Sequence, residues 1–189
     1  MSAIIIPSSL NRTVRNKHLL FDTSFFIDYE DHKDEFVDFL GRIKKLNCTL
    51  VTVDQVAIEF IKGSKSEEDM QKRLTLIQSC IESYLPVSAQ VYSQQIQELI
   101  LNYGRRSASA DITDLVLGVL AKNHQKDLLI LTKNSHDFPS HLFKLKSHFL
   151  LQNKKSNTVQ IYCIYQYRMG ENIDSEALTN RISFKQLSS

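Results

Sequence analysis

His18-Leu-Leu-Phe-Asp-Thr-Ser-Phe-Phe-Ile27 carries a short apolar run, a single acid at Asp22, and then more apolar sequence. If Leu19 to Phe21 form a buried central strand, Asp22 stands at its carboxyl end. Open α/β sheets bind ligands in the crevice above their strand ends. The same residue also reads as a helix cap or turn opener, as Asp commonly is. Other carboxylates arriving at the same place would decide between the two.

Outward from this stretch the chain alternates strand-like and helix-like segments. Residues 1–18 are polar and aperiodic and read as an N-terminal arm. A helix, in one or two pieces, is expected from about Ser24 to Leu46, with Phe36, Phe39, Leu40 and Ile43 at helical spacing. Cys48-Thr-Leu-Val-Thr-Val53 is rich in β-branched residues and reads as a second strand. Asp54 is placed to cap a short helix over 55–62 that ends at Gly63. Ser66 opens a longer helix to about Tyr84, and Ser88 another to Tyr103. The stretch 104–110 is a loop of small and basic residues. The most apolar helix runs from Asp111 to about Asn123. Leu128-Leu-Ile-Leu-Thr132 is the clearest buried strand, a loop follows over 134–139, and 159–167 alternates as a last strand near a sheet edge. Strands separated by helices argue for an α/β fold with a largely parallel central sheet flanked by helices in three layers. The expected organisation is an arm over 1–18, a single domain over 19–168 and a poorly packed tail over 169–189.

A chain of 189 residues fits one such domain with a sizeable core. Five Gly and three Pro are too few for an all-β architecture, which uses Gly in its turns. Three widely spaced Cys, with no C-x-x-C, fit neither a disulfide framework nor a zinc site and suggest thiols in a reducing cytoplasm. No segment reaches the roughly 18 apolar residues of a membrane span, and the amino terminus lacks a basic n-region. Charge is unevenly spread. Arg12, Arg15, Lys17 and His18 stand in an acid-free stretch over 1–21, and Lys144, Lys146, Lys154, Lys155 and Arg168 in another over 138–170. With Arg105 and Arg106, basic regions placed around an acidic site would suit a polyanion, while charge alone reads as ordinary solvated surface.

Four further acids share a topological property with Asp22. Glu59 lies in the helix after the second strand. Asp111 and Asp114 are three apart at the start of the apolar helix, Asp111 as the better capper and Asp114 on the inward stripe. Asp137 follows the strongest strand, where Asn134 could also make a local turn with it. All lie at strand carboxyl ends or on helices that begin there, and these positions converge on one crevice. Gathered carboxylates repel and raise one another's pKa. A hard divalent cation such as Mg²⁺ removes that conflict, and hydrolytic enzymes use such ions on phosphodiesters.

In order, Phe21-Asp-Thr-Ser, Glu59, Asp114-Leu-Val-Leu-Gly-Val-Leu-Ala121 and Leu131-Thr-Lys-Asn-Ser-His-Asp-Phe138 resemble the PIN-domain nucleases, most of all the VapC-type toxin ribonucleases. The last piece follows the family's T-x-N-x-x-D-F pattern and is the most specific. The resemblance implies Asp22, Glu59, Asp114 and Asp137 as the catalytic and metal-holding quartet, with Asp111 a candidate for a second ion. It implies supporting roles for Thr23, Ser24, Thr132 and Asn134, and Mg²⁺ or Mn²⁺ as cofactor. It further implies cleavage of single-stranded RNA, an antitoxin protein as partner in the toxin case, and a homodimer. Apart from the resemblance, Arg105 and Arg106 read either as contacts to the RNA backbone or as plain surface. The long lead and the residues after Phe138 depart from the compact toxin pattern. Two other readings share this site: a non-catalytic PIN-like module that binds RNA or protein, and a DNA nuclease. A haloacid-dehalogenase-like phosphatase would want a second acid at Ser24 and lacks it.

Overall fold

The structure, a computed structural model, describes residues 2–104, 110–153 and 157–168. Its centre is a seven-stranded sheet: β1 (Ser2–Ile5), β2 (His18–Phe21), β3 (Thr49–Thr52), β4 (Ser83–Tyr84), β5 (Leu128–Thr132), β6 (Phe143–Asn153) and β7 (Thr158–Tyr167). The spatial order is β1-β6-β7-β5-β2-β3-β4. The helices are α1 (Ser8–Val14), α2 (Thr23–Asp31), α3 (Lys33–Lys44), α4 (Asp54–Lys62), α5 (Glu67–Cys80), α6 (Ile96–Tyr103), entered through a π-helical turn, and α7 (Ile112–His124).

The α/β class expected from the alternation is present, but the sheet is only partly parallel. β2 pairs in parallel with β3 and β5, and β3 with β4, whereas β7, β6 and β1 continue the sheet antiparallel. β2, β3 and β5 read from sequence because interior parallel strands are buried on both faces and therefore mostly apolar. All five residues of β5 are buried. β2 leads through α2 and α3 to β3, and β3 through α4 and α5 to β4, so the chain steps away from β2 in one direction. It then returns through α6 and α7 to β5 on the other side of β2. β2 and β5 thus flank a topological switch point, where the two connections leave a crevice above the strand ends.

Helices cover both faces. Phe25 of α2 and Phe36 of α3 meet Tyr162 edge-on, and Phe39 meets Phe149 at 4.5 Å, which seats α2 and α3 on one face. α7 packs against β5 and β7, and α6 lies against α7. Gly118 permits that approach, since a Cβ there would stand 2.8 Å from Leu99 Cδ2.

Several expectations are corrected. Residues 2–14 are not an arm: β1 pairs with β6 along its length, and Leu10 and Val14 of α1 are fully buried in the common core. β7, expected near a sheet edge, stands third from it, because β6, which the sequence reading did not find, and β1 continue the sheet beyond it. α5 stops at Cys80, and Ser83–Tyr84 form the short edge strand β4. Asp54 is the first residue of α4 and does not cap it. The tail over 169–189 lies outside the described residues, where no helix is long and apolar enough to cross a membrane.

Candidate metal centre

Asp22, Glu59, Asp111, Asp114 and Asp137 line one cavity of about 380 Å³ above the carboxyl ends of β2 and β5. Thr23, Ser24 and Asn134 line it too. Every acid singled out in the sequence therefore reaches the same crevice, each on a different structural footing.

Asp22 is both things its stretch suggested. Its carboxylate accepts from the Thr23 backbone N–H at 2.7 Å as the cap of α2, and it is buried at the crevice floor. The hydroxyls of Ser24 and Thr132 each donate to its Oδ2 at 2.7 Å. Through this bond Thr132 ties the end of β5 to the end of β2. The Thr132 hydroxyl also accepts the Asn134 backbone N–H at 2.9 Å. Asn134 in turn accepts the Asp137 N–H through its backbone oxygen at 3.3 Å, which closes the turn that carries Asp137. Glu59 is an exposed residue whose carboxylate turns into the cavity and accepts from Thr23 Oγ1 at 2.8 Å.

At the start of α7, Asp111 is the cap: its Oδ1 accepts from the N–H groups of Thr113 at 2.8 Å and Asp114 at 3.1 Å. Asp114 completes a capping box by accepting the Asp111 N–H at 3.2 Å. Asp114 is buried, as its position on the inward stripe required. Burial first, then the charges of Asp137, Asp111 and Asp22, push its carboxyl up to about 8. Asp137 is raised for the same reasons, with burial the largest cause and Asp22 and Asp111 next. The crevice thus holds more negative charge than its surroundings neutralise.

Among the described residues no three His, Cys, Asp or Glu side chains stand close enough to hold one ion as they are placed. Asp22, Glu59 and Asp114 are each turned toward neighbouring donors instead. As a donor set, five carboxylates around one cavity, two of them with raised pKa, fit a hard divalent cation.

Sequence reading missed one cation at the site. Lys133 lines the cavity, and its Nζ donates to Asp28 Oδ1 at 2.8 Å. Asp28 is buried and also accepts from the Tyr162 hydroxyl at 2.5 Å, while the Lys133 backbone N–H donates to Ser24 Oγ at 3.3 Å. The signal was the i, i+4 pair Ser24 and Asp28, hidden because Asp28 opens an acid-rich run that resembles solvated surface.

Of the described basic residues, Arg12, Lys17 and Lys146 line a separate cleft at the other end of the sheet and not this crevice. Arg105 and Arg106 lie outside the described residues. Comparison with family models, with curated proteins and with solved structures returned no match. Fold and cavity define an α/β protein with an acidic crevice at the switch point of a mixed sheet.

Proposed function

We propose that this chain is a PIN-like, Mg²⁺- or Mn²⁺-dependent endoribonuclease acting on single-stranded RNA. The observation that carries the reading is the arrival of five acids from α2, α4, α7 and the β5 exit in one crevice. Asp22, Asp114 and Asp137 would hold the ion, with Glu59 completing the set and Asp111 at its margin. The ion, when bound, supplies the positive charge that phosphodiester hydrolysis requires as charge develops on the reacting oxygens. Thr132, Ser24 and the Thr23 N–H orient Asp22. Thr23 holds Glu59 toward the crevice, and the Asn134 turn carries Asp137. Lys133, anchored by Asp28, sets one positive charge against the acids. Three free, buried cysteines suit a cytoplasmic setting.

A second reading draws on the absence of a preassembled acid trio among the described residues: a module of the same shape that binds RNA or a protein without cutting. The test is cleavage of labelled single-stranded RNA, with single-stranded DNA alongside, in Mn²⁺ or Mg²⁺. Wild type should cut RNA and lose activity in chelator. Asp22→Asn and Asp137→Asn should each lose about a hundredfold or more. Equal rates in all three proteins would sink the proposal, and RNA affinity without metal-dependent cutting would favour the binding module.

A further inference from the structure

A second cavity, of about 500 Å³, opens at the amino ends of β2 and β5, the opposite end of the sheet from the acids. Arg12 of α1, Lys17 before β2, Lys126 before β5 and Lys146 of β6 line it, above a floor that includes Leu129 and Gln166. The four cations come from four separate segments, so no single amphipathic helix accounts for them. Lys17 is paired with Asp127 at 3.2 Å, and among the described residues no ion pair involves Arg12, Lys126 or Lys146. Lys146 has a second distinction. It is the residue left out of register where β6 skips between Leu145 and Ser147 against β7, and such bulges re-aim a side chain.

We propose that this cleft binds the phosphodiester backbone of a single-stranded nucleic acid. Like charges held around one cavity from separate elements are stabilised by a polyanion that spans them. Among the described residues no aromatic side chain lines the cleft, so those residues offer no ring for a base to stack on. Its chemistry addresses phosphates, which position a strand without reading its sequence. The cleft and the crevice lie roughly 15–20 Å apart along β5, a span of a few nucleotides. Binding in the cleft does not require cleavage in the crevice.

Fluorescence anisotropy of the full chain with a labelled oligouridylate, in chelator and across a salt series, measures this binding without cleavage. Arg12→Glu/Lys146→Glu should weaken affinity at least about tenfold and make the salt slope shallower by roughly 0.7 for each phosphate no longer neutralised. Arg12→Gln/Lys146→Gln should act in the same direction with a smaller effect. Both variants change exposed side chains and should melt with wild type. Lys33→Glu/Lys65→Glu, away from the cleft and with the same change in net charge, should stay within about twofold. An equal weakening in that control would attribute binding to bulk charge and overturn the inference. Displacement of the oligonucleotide by an equal concentration of inorganic phosphate groups would also overturn it, since a free phosphate would then be the ligand. A protein that cuts RNA but whose affinity ignores the reversal fails this inference alone. One that binds through the cleft without cutting fails only the nuclease reading.

Discussion

Asp114 is the acid whose surroundings most oppose its charge, and its titration links stability to the site. Its folded pKa, about 8, stands above the ordinary value of 3.8 because of burial and then the charges of Asp137, Asp111 and Asp22. Between those values the folded chain holds a proton that the unfolded chain has released. Stability therefore falls as pH rises through that window and levels off above it. Without divalent ions, thermal melts should show the midpoint declining from about pH 5 to about pH 8.5. Asp114→Asn should flatten that decline and raise the midpoint at the alkaline end by roughly 2–4 °C per kcal/mol recovered. The amide oxygen can still accept the Asp111 N–H, so the capping box need not be lost. Mn²⁺ should stabilise wild type more at alkaline than at acid pH, since ligation requires the deprotonated carboxyl. A wild-type midpoint that ignores pH, or a variant that declines in parallel with it, would refute this account. Residues of this kind were legible because an acid on an apolar stripe has few structural excuses. Lys133 and Asp28 were not, because their pairing crosses 105 positions of chain.

Among the elements, β6 is the longest strand that the sequence reading did not find. Phe143 packs against Phe138 and Tyr167, whereas Phe149 packs against Phe39 and Tyr162. Tyr167 and Tyr162 have opposite parity on β7 and face opposite sides of the sheet. Phe143 and Phe149 are an even number of residues apart and would share a face in a regular strand. The extra residue at Lys146 exchanges the faces midway, so the odd positions from Phe143 to Leu151 do not share one buried face, and Leu145 among them is exposed. Deleting Lys146 should force Phe149 and Leu151 out of the core on one side or Phe143 on the other. The loss expected is more than about 4 kcal/mol, enough to remove cooperative unfolding in urea. Lys146→Ala keeps the bulge and should shift stability by no more than about 0.5 kcal/mol. Similar urea midpoints for the deletion and wild type would mean that the bulge does not set the register.

On the scale of the whole molecule, the parallel strands β5, β2 and β3 announce themselves by near-uniform burial and by helices between them, and they position the crevice, whereas the two-residue, exposed β4 does not. Of the antiparallel strands β7 shows its alternation, but β1 does not, because its partner is distant in sequence: Ser2 of β1 stands opposite Asn153 of β6. An N-terminal segment without obvious periodicity therefore closes the sheet at its far edge. Leu10 and Val14, fully buried from α1, lie too close together in a short helix to show a stripe from sequence alone. A chain beginning at Arg15 would lose two buried side chains worth about 1.5–3 kcal/mol each, and would leave β6 as an open edge. The combined loss of roughly 3–6 kcal/mol is a large part of the stability typical of a domain. The shortened protein should unfold at much lower urea, with a weaker near-ultraviolet signal from Phe149 and Tyr162, whose rings stack beside that edge. Any cleavage of the kind proposed for the crevice should be lost together with the fold, although every crevice residue remains. If it instead unfolded at the wild-type midpoint, β1 and α1 would be an accessory and the N-terminal segment an arm after all.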